Sequence, residues 1–194
     1  RKAGHEVTVF EALHKFGGVL RYGIPPFRLP RTVLDREIQN LKDIGVKFEK
    51  NVIVGKSITL KQLKEDGFDA IFICSGAGLP KMMNIKGENL NGVFSANEFL
   101  TRVNLMGAND DKNATPLKTG KSVAVIGGGN VAMDVARSAF RHGAQRVMLF
   151  SRDNIATASS HEMDYARLDG AEFYFGKSIV RITPEGPVFR DSVI

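Results

Sequence analysis

The second half of the chain has the most regular pattern of hydrophobic and polar residues. An apolar run over Ser122–Ile126 predicts a strand, an amphipathic stretch over Val131–His142 predicts a helix, and Arg146–Phe150 predicts a second strand. A strand, a helix and a strand in this order make a βαβ unit with two parallel strands. Three more predicted elements follow, namely a helix over His161–Leu168 and strands near Glu172–Phe175 and Ser178–Ile182.

The first half of the chain alternates between strand and helix patterns at wider spacing. Val7–Phe10 predicts a strand, and the apolar spacing over Arg31–Ile44 predicts a helix. Thr32 and Asp35 have the spacing of a capping box at the start of that helix. The remaining predicted elements are short strands at Val46–Phe48 and Val52–Val54, a brief helix capped by Thr59 and Gln62, and a helix over Ala96–Leu105.

One further segment has the pattern of a central strand. Asp69–Ser75 is apolar on both faces, as a parallel strand covered by helices is, and this predicts a core position for Cys74. Strands that alternate with helices indicate an α/β fold with doubly wound parallel sheets. A polar stretch over Asn109–Asn113 marks a domain junction, so we expect one domain over residues 1–118 and a second over 119–194.

Composition narrows the classes of function. The 194 residues are 43% hydrophobic and 25% charged, which indicates a folded chain, and no apolar run approaches the ~20 residues of a membrane span. The single Cys74 excludes a disulfide framework and a multi-cysteine metal site within the chain and favours the cytoplasm. The net charge of +6 is spread among 21 acids without an aromatic–basic motif, so we expect no nucleic-acid partner. Arg1–Glu6 resembles a helix end, which predicts a chain without its natural start.

The turn inside the βαβ unit carries the strongest candidate site. Its sequence runs Gly127-Gly128-Gly129-Asn130-Val131-Ala132. Gly127 allows a tight turn, Gly129 allows the backbone to approach a pyrophosphate, and Ala132 allows close packing of the helix on the strand. The start of the following helix directs unpaired amides and a positive dipole end at that phosphate. The motif predicts a dinucleotide-binding site.

The residues after the second strand indicate which dinucleotide binds. An NAD site usually places an acid there to bind the ribose hydroxyls, whereas this chain has Ser151-Arg152 ahead of Asp153. Arg152 can pair with a 2′-phosphate, which favours NADP. Upstream, Glu11 follows a strand at the position of a ribose-binding acid, and the glycine turn that normally precedes such an acid would lie before residue 1.

Further motifs are spread across nearly the whole chain. They are Gly17-Gly18-Val19-Leu20, the run from Tyr22 to Pro30, Cys74-Ser75-Gly76, the stretch from Ser95 to Leu100, and the turn from Gly127 to Asp134. Together with Glu11 they resemble the small (beta) subunit of NADPH-dependent glutamate synthase and related pyridine nucleotide-disulfide-type oxidoreductases. The resemblance implies two Rossmann-like domains that bind FAD and NAD(P), with the NAD(P) domain inserted into an FAD domain that is truncated here.

The resemblance also implies which residues bind each cofactor. On the FAD side it implies Glu11, Gly17, Gly18, Val19, Leu20, Arg28, Val54 and Gly76, with Val52 as the alternative to Val54. On the NADPH side it implies Gly127, Gly128, Gly129, Asn130, Val131 and Arg152. Ser151 replaces the first of two adjacent basic residues that bind the 2′-phosphate in the family.

The function that the resemblance implies is transfer of hydride from NADPH to FAD, and of electrons onward to iron–sulfur clusters outside this chain. The partner would be a glutamate synthase large subunit or another iron–sulfur electron acceptor, and association of the chain with its own copies is left open. The alternatives are a ferredoxin:NADP oxidoreductase, a flavoprotein like dihydropyrimidine dehydrogenase, and a non-catalytic nucleotide-binding module. Hydride transfer needs no protein nucleophile, so no catalytic residue and no metal ligand is assigned.

Overall fold

The computed structural model of the chain describes residues 1–108, 110, 112–114, 117 and 120–192. The chain forms two compact units, unit 1 over Arg1–Gly78 and unit 2 over Leu79–Ile194. The predicted domain boundary between residues 118 and 119 lies outside the described residues. The boundary was predicted between two nucleotide-binding domains, not between two packed units, and it stays a prediction.

Unit 1 is built around a two-stranded parallel sheet. Its elements are β1 (Thr8–Glu11), α1 (Val19–Tyr22), α2 (Arg31–Asp43), β2 (Lys47–Lys50) and α3 (Leu60–Glu65). β1 pairs with β2 so that Val9 lies opposite Phe48. The predicted short strand around Val54 is wrong, because this residue forms only an isolated bridge with Ile58. The other predicted elements up to α3 are confirmed to within a few residues.

The two predicted capping boxes have different outcomes. At α3, the Thr59 hydroxyl accepts a hydrogen bond from the Gln62 amide at 3.1 Å and the Gln62 side chain accepts one from the Thr59 amide at 2.9 Å, which confirms the box. At α2, Pro30 occupies the N-cap position without a side-chain cap. Since the carboxylate of Asp35 forms an ion pair with buried Arg21 instead, the predicted box at the start of α2 is wrong.

The prediction of a buried strand over Asp69–Ser75 is also wrong. In the described structure this segment belongs to no sheet, Phe72 is 89% exposed and Ile73 is 71% exposed. Cys74 is exposed as well, so its predicted core position is wrong. An apolar strand is buried only where neighbouring strands pair with its edges and helices cover its faces. The sheet of unit 1 contains β1 and β2 alone, so this segment has neither strands paired with its edges nor helices covering its faces.

Unit 2 contains a three-stranded parallel sheet with helices packed against it. Its elements are α4 (Ala96–Asn104), β3 (Ser122–Ile126), α5 (Asn130–Arg141), β4 (Arg146–Phe150), α6 (Ser160–Leu168), β5 (Glu172–Tyr174), β6 (Lys177–Thr183) and β7 (Gly186–Asp191). The sheet order is β3-β4-β5 with all strands parallel, and β6 and β7 form a separate antiparallel hairpin. The α/β fold, the βαβ unit and helices α4 and α6 are confirmed, whereas β7 was not predicted.

The hydrophobic core of unit 2 lies along one face of α5. Met133, Ala136 and Ala139 on this helix are fully buried, and they belong to one cluster with Val147 of β4 and Leu100 of α4. Alanine at two of these helix positions leaves room for the backbone of α5 to lie close to the sheet. Tight packing along this face therefore sets the position of the helix and of the glycine turn at its start.

We expect Met133→Ala to destabilise the chain. Removal of a fully buried side chain leaves a cavity at the contact of α5 with the sheet, and the free energy of unfolding should fall by about 2–4 kcal/mol. The matched control is Met82→Ala, at a side chain that is 54% exposed, which should change this free energy by less than about 0.5 kcal/mol. Urea denaturation followed by circular dichroism measures both. Equal effects of the two substitutions would contradict the assigned core.

Candidate functional site

The glycine turn joins β3 to α5 and has the geometry of a tight reversal. Gly127 has a φ of 134°, a value that L side chains rarely adopt, and its amide donates to the carbonyl of Phe150 at 2.9 Å. A Cβ atom on Gly127 would lie 3.8 Å from the Cβ of Ala132, so the small residue at that position lets the helix pack directly over the turn. Gly129 then forms the N-cap of α5.

The start of α5 is suited to an anion. The helix is 12 residues long, it has no acid in its first turn, and Val131 at its start is 53% exposed. The first amides of a helix have no partner within the helix and lie at the positive end of its dipole. Accessible amides without a nearby carboxylate provide the site that a pyrophosphate needs.

Gly128 is held between the turn and the residues that follow β4. A Cβ atom on Gly128 would lie 2.9 Å from the hydroxyl of Ser151 and 3.3 Å from the Cα atom of Ala156. The carbonyl of Gly128 accepts a hydrogen bond from the amide of Ala158 at 2.8 Å. We call residues Arg152–Ser159 the covering segment, because its second half, from Ala156 to Ser159, lies against the glycine turn and the start of α5. A side chain at position 128 would therefore force Ser151 or Ala156 to move.

The end of the covering segment is tied to both neighbouring helices. The side-chain oxygen of Asn130 accepts a hydrogen bond from the backbone amide of Ser159 at 2.9 Å. The hydroxyl of Ser159 in turn caps α6 by accepting from the amide of Glu162 at 3.4 Å. The covering segment therefore ends at a point that α5 and α6 hold jointly. Sequence reasoning missed this connection, although a serine two residues before His161 is a recognisable capping signal.

Ser151 and Arg152 have opposite environments. Ser151 is buried behind the glycine turn, whereas the side chain of Arg152 is 77% exposed. The Nε atom of Arg152 donates to Asp153 at 3.3 Å, and an exposed ion pair of this kind contributes little stability. The guanidinium can therefore exchange its carboxylate partner for a phosphate at little cost. Burial of residue 151 places the hydroxyl of Ser151 in the packing of the turn.

A cluster of charges joins α5 to α6 next to this site. Arg137, whose side chain is 9% exposed, contacts Glu162 at 3.4 Å and Asp169 at 3.0 Å. Arg141 contacts Asp169 at 2.7 Å. Burial works to raise the pKa of Asp169, but the hydrogen bonds from Arg141 and Arg137 outweigh it and lower this pKa below its usual value. The sequence signal for the cluster is two arginines four residues apart on one helix, because like charges at this spacing repel unless acids lie nearby.

In unit 1, the predicted ribose-binding acid lies at the end of β1. The carboxylate of Glu11 accepts a hydrogen bond from the amide of Leu13 at 3.0 Å, which orients it. The carbonyl of Glu11 accepts from the amide of Val52 at 3.0 Å. Of the two alternative FAD-side residues, Val52 is therefore bonded directly to Glu11, while Val54 is 42% exposed two residues further on.

The Gly17–Leu20 segment begins with a tight glycine loop that runs into α1. Gly17 and Gly18 have φ values of 120° and 51°, and a Cβ atom on Gly18 would meet no other atom within 4 Å. Val19 and Leu20 are 55% and 43% exposed. The guanidinium of Arg31 donates to the carbonyls of Leu20 and Ile24, each at 2.9 Å, and fixes the loop from its far side. Burial lowers the pKa of Arg31, with further lowering from the charge of Arg21.

Two other predicted residues of unit 1 have less defined surroundings. Arg28 is half-buried, and its amide donates to the carbonyl of Pro25 at 3.0 Å. Gly76 is exposed with a φ of 75° and open space where a Cβ atom would lie. The structure thus brings Glu11 next to Val52, and Gly17 and Gly18 next to α1, while Gly76 follows the exposed segment Asp69–Ser75. Nothing in the described contacts assigns a ligand to any of them.

Unit 2 also has a surface cleft of about 520 Å³ between residues 86–90 and the β6–β7 turn. Gly87 packs against the carbonyl of Ile182 so tightly that a Cβ atom would lie 2.0 Å from it. The cleft shares no residue with the glycine turn or the covering segment. Among the described residues no group of three or more His, Cys, Asp or Glu side chains could hold a metal ion, and no helix has the length and apolarity to cross a membrane.

Comparison with known proteins identifies the family of the chain. A family model described as pyridine nucleotide-disulphide oxidoreductase matches residues 1–193. The NADP(+)-dependent formate dehydrogenase subunit beta of Moorella thermoacetica is 42% identical over 89% of the chain and 24% of its own length. The glutamate synthase [NADPH] small chain of Azospirillum brasilense is 33% identical over 96% of the chain and 39% of its own length. The chain thus spans well under half the length of these relatives.

Solved structures show the same fold at lower identity. FprA from Mycobacterium tuberculosis matches with a TM-score of 0.74 at 20% identity, over 97% of the chain and 61% of its own. Thioredoxin reductase from T. acidophilum matches with a TM-score of 0.60 at 15% identity, over 99% of the chain and 64% of its own. At these identities the likeness establishes the fold, and the α/β prediction is confirmed.

We expect Asp169→Asn to destabilise the chain in a pH-dependent way. Because the folded-state pKa of Asp169 is lowered, its contribution is present above the unfolded-state pKa and is lost as the pH falls through the folded-state value. At pH 7 the variant should lose about 1–3 kcal/mol of the free energy of unfolding, and the loss should shrink below about pH 4.

The matched control for this variant is Asp164→Asn. Asp164 lies on the same helix and contacts Arg167 at 3.1 Å in an exposed pair, so its removal should cost less than about 0.5 kcal/mol at any pH. Urea denaturation at pH values between about 3 and about 7 measures the free energy of unfolding of both variants. A loss from Asp169→Asn that is independent of pH would contradict the proposed role of its charge.

Proposed function

Because the chain belongs to the pyridine nucleotide-disulphide oxidoreductase family, we propose that it transfers hydride from NADPH to FAD within a larger enzyme. The observation that carries this proposal is the glycine turn at the start of α5, with Arg152 exposed beside it. The names of the relatives share NADP(H) and differ in the other compound that they mention, namely formate, glutamate and Fe(3+). The NADP half of the reaction is therefore the part that we assign to this chain.

Unit 2 supplies the NADPH site in this proposal. The pyrophosphate binds at the amides of Gly128, Gly129, Asn130 and Val131, where the helix dipole is positive and the first turn carries no acid. Gly127 closes the turn beneath them. Arg152 exchanges Asp153 for the 2′-phosphate, since a charge-assisted bond to a dianionic phosphate is stronger than an exposed pair with a carboxylate. We keep residues 119–194 as the NAD(P)-binding domain, inserted in an FAD domain of which residues 1–118 are part.

Unit 1 supplies part of the FAD site. Its residues fit the group: Glu11 ends β1 with its carboxylate oriented by Leu13, and Gly18 and Gly76 have open space where side chains would obstruct a ligand. The Glu11 carboxylate accepts hydrogen bonds from the ribose hydroxyls, and Gly17 and Gly18 allow the backbone to approach the diphosphate. Val19, Leu20, Arg28 and the main chain at Val52 or Val54 complete the contacts. Bound FAD supplies a hydride acceptor that can pass single electrons onward.

The electrons leave to an acceptor outside this chain. The relatives named above are subunits, which supports a partner subunit. We propose that the acceptor is an iron–sulfur cluster, carried by a glutamate synthase large subunit or a comparable protein of the cytoplasm. No side chain of this chain needs to act as a nucleophile, and the residues bind and orient the two nucleotides.

The full-length protein provides the test of this function. Anaerobic addition of NADPH should bleach the visible absorbance of bound flavin, and NADH should do so more slowly at equal concentration. A protein that cannot be loaded with FAD, or whose bound flavin is unaffected by NADPH, would refute the proposal. Loss of flavin binding in the chain of 194 residues alone does not bear on it, since the chain spans only part of its relatives.

We expect Arg152→Ala to lower the preference for NADPH. Loss of the guanidinium should weaken NADPH binding about 10- to 100-fold, since a charge-assisted hydrogen bond contributes about 1.5–3 kcal/mol, and should leave NADH binding within about twofold. The matched control is Arg167→Ala, an exposed arginine of α6 paired with Asp164, which should change neither affinity. Isothermal titration calorimetry measures the affinities of both variants for NADPH and for NADH. Equal loss of both nucleotides in Arg152→Ala, or tighter binding of NADH by the unmodified chain, is the contrary result.

A further inference from the structure

The side chain of Asn130 is engaged by the covering segment. Asn130 is the first residue of α5, where an amide side chain is available to a bound pyrophosphate. In the structure its Oδ1 atom instead accepts the backbone amide of Ser159 at 2.9 Å. The distance is that of a well-formed hydrogen bond. It joins residues 29 positions apart, from the first turn of the nucleotide-binding helix to the last residue of the covering segment.

This bond is the first of several contacts that position the covering segment. The second is the hydrogen bond from the Ala158 amide to the Gly128 carbonyl at 2.8 Å, and the third is the packing of Ser151 and Ala156 against Gly128. Ser151 immediately precedes Arg152, so the backbone at Arg152 is fixed on one side by the turn itself. On the other side, the amide of Gly176 donates to the carbonyl of Asp153 at 3.3 Å, and Ala158 and Ser159 fix the far end of the segment.

We propose that Asn130 is a positioning residue, which holds the covering segment against the glycine turn and thereby places Arg152 where a 2′-phosphate binds. The inference rests on the proposed NADPH site and adds a residue that determines its specificity. The hydrogen bond has a rigid support, because Ser159 caps α6 and α6 is held to α5 by Arg137, Glu162 and Asp169.

The chemistry of the amide explains why asparagine suits this position. An aspartate would also accept the Ser159 amide, but its charge would lie at the start of α5, where it would repel a pyrophosphate. A serine side chain is too short to reach the Ser159 amide, and an alanine side chain has no acceptor. Asparagine gives a neutral acceptor of the required length, so the covering segment is held without an electrostatic penalty to the nucleotide.

The test compares the affinities of NADPH and NADH in Asn130→Ala. If Asn130 acts through the covering segment and Arg152, NADPH binding should weaken about three- to tenfold, as expected for loss of one hydrogen bond, and NADH binding should change by less than about twofold. Combination with Arg152→Ala should add no further loss for NADPH beyond that of Arg152→Ala alone. Equal weakening of both nucleotides would show a direct contact of Asn130 with the pyrophosphate and overturn the proposal.

A second pair of variants tests the same hydrogen bond by changing its donor residue, Ser159. Ser159→Ala and Ser159→Pro both remove the hydroxyl that caps α6, but only the proline also removes the backbone N–H that Asn130 accepts. The φ of Ser159 is −61°, which proline adopts without strain. Ser159→Pro should lower the ratio of NADPH to NADH affinity about three- to tenfold relative to Ser159→Ala.

Identical ratios in the Ser159 pair would overturn the positioning role even if Asn130→Ala did not fold. Nucleotide binding by the unmodified chain distinguishes a failure of this inference from a failure of the proposed NADPH site on which it rests. If this chain binds neither nucleotide, the proposed NADPH site is wrong. If it prefers NADPH and the variants leave that preference unchanged, the NADPH site stands and the role of Asn130 is refuted.

Discussion

The close approach of α5 to the parallel sheet of unit 2 is the contact on which the candidate site depends. Ala136 and Ala139 are fully buried against the strands, and Ala132 lies 3.8 Å from where a Cβ atom of Gly127 would be. Larger residues at these positions would move the helix outward. The start of α5 would then leave the turn, and the amides that bind a phosphate would no longer be collected at one point.

The charges along α5 follow the direction of the helix dipole. The first turn carries no acid, so its positive end is available to an anion, while Arg141 lies in the last turn, where a cation is favourable. Arg137 and Arg141 are neutralised by Glu162 and Asp169 of α6 or its C-cap. The same ion pairs hold α6 in place, and α6 begins directly after Ser159, the residue that ends the covering segment and caps the helix. Packing near the start of α5 and ion pairs toward its end therefore both stabilise the candidate site.

The sequence predicted unit 2 better than unit 1, for a physical reason. The βαβ unit is stabilised by contacts between neighbouring segments, so hydrophobic period and glycine positions were sufficient to predict β3, α5 and β4. The apolar segment Asp69–Ser75 was predicted to be buried on its composition, but burial needs adjacent strands, which the two-stranded sheet of unit 1 does not provide. The buried position of Ser151 and the bond between Asn130 and Ser159 are tertiary contacts, and local patterns do not encode them.

In the proposed function, the start of α5 and the covering segment together form one dinucleotide site. Nuclear magnetic resonance of the labelled chain during titration with NADP⁺ tests it directly, because each backbone amide reports separately. We predict that NADP⁺ causes the largest chemical-shift changes at the amides of Gly128–Val131 and of Arg152. NAD⁺ should change the shifts of the glycine turn but not that of Arg152. Shifts confined to unit 1, or to the cleft beside Gly87, would contradict it.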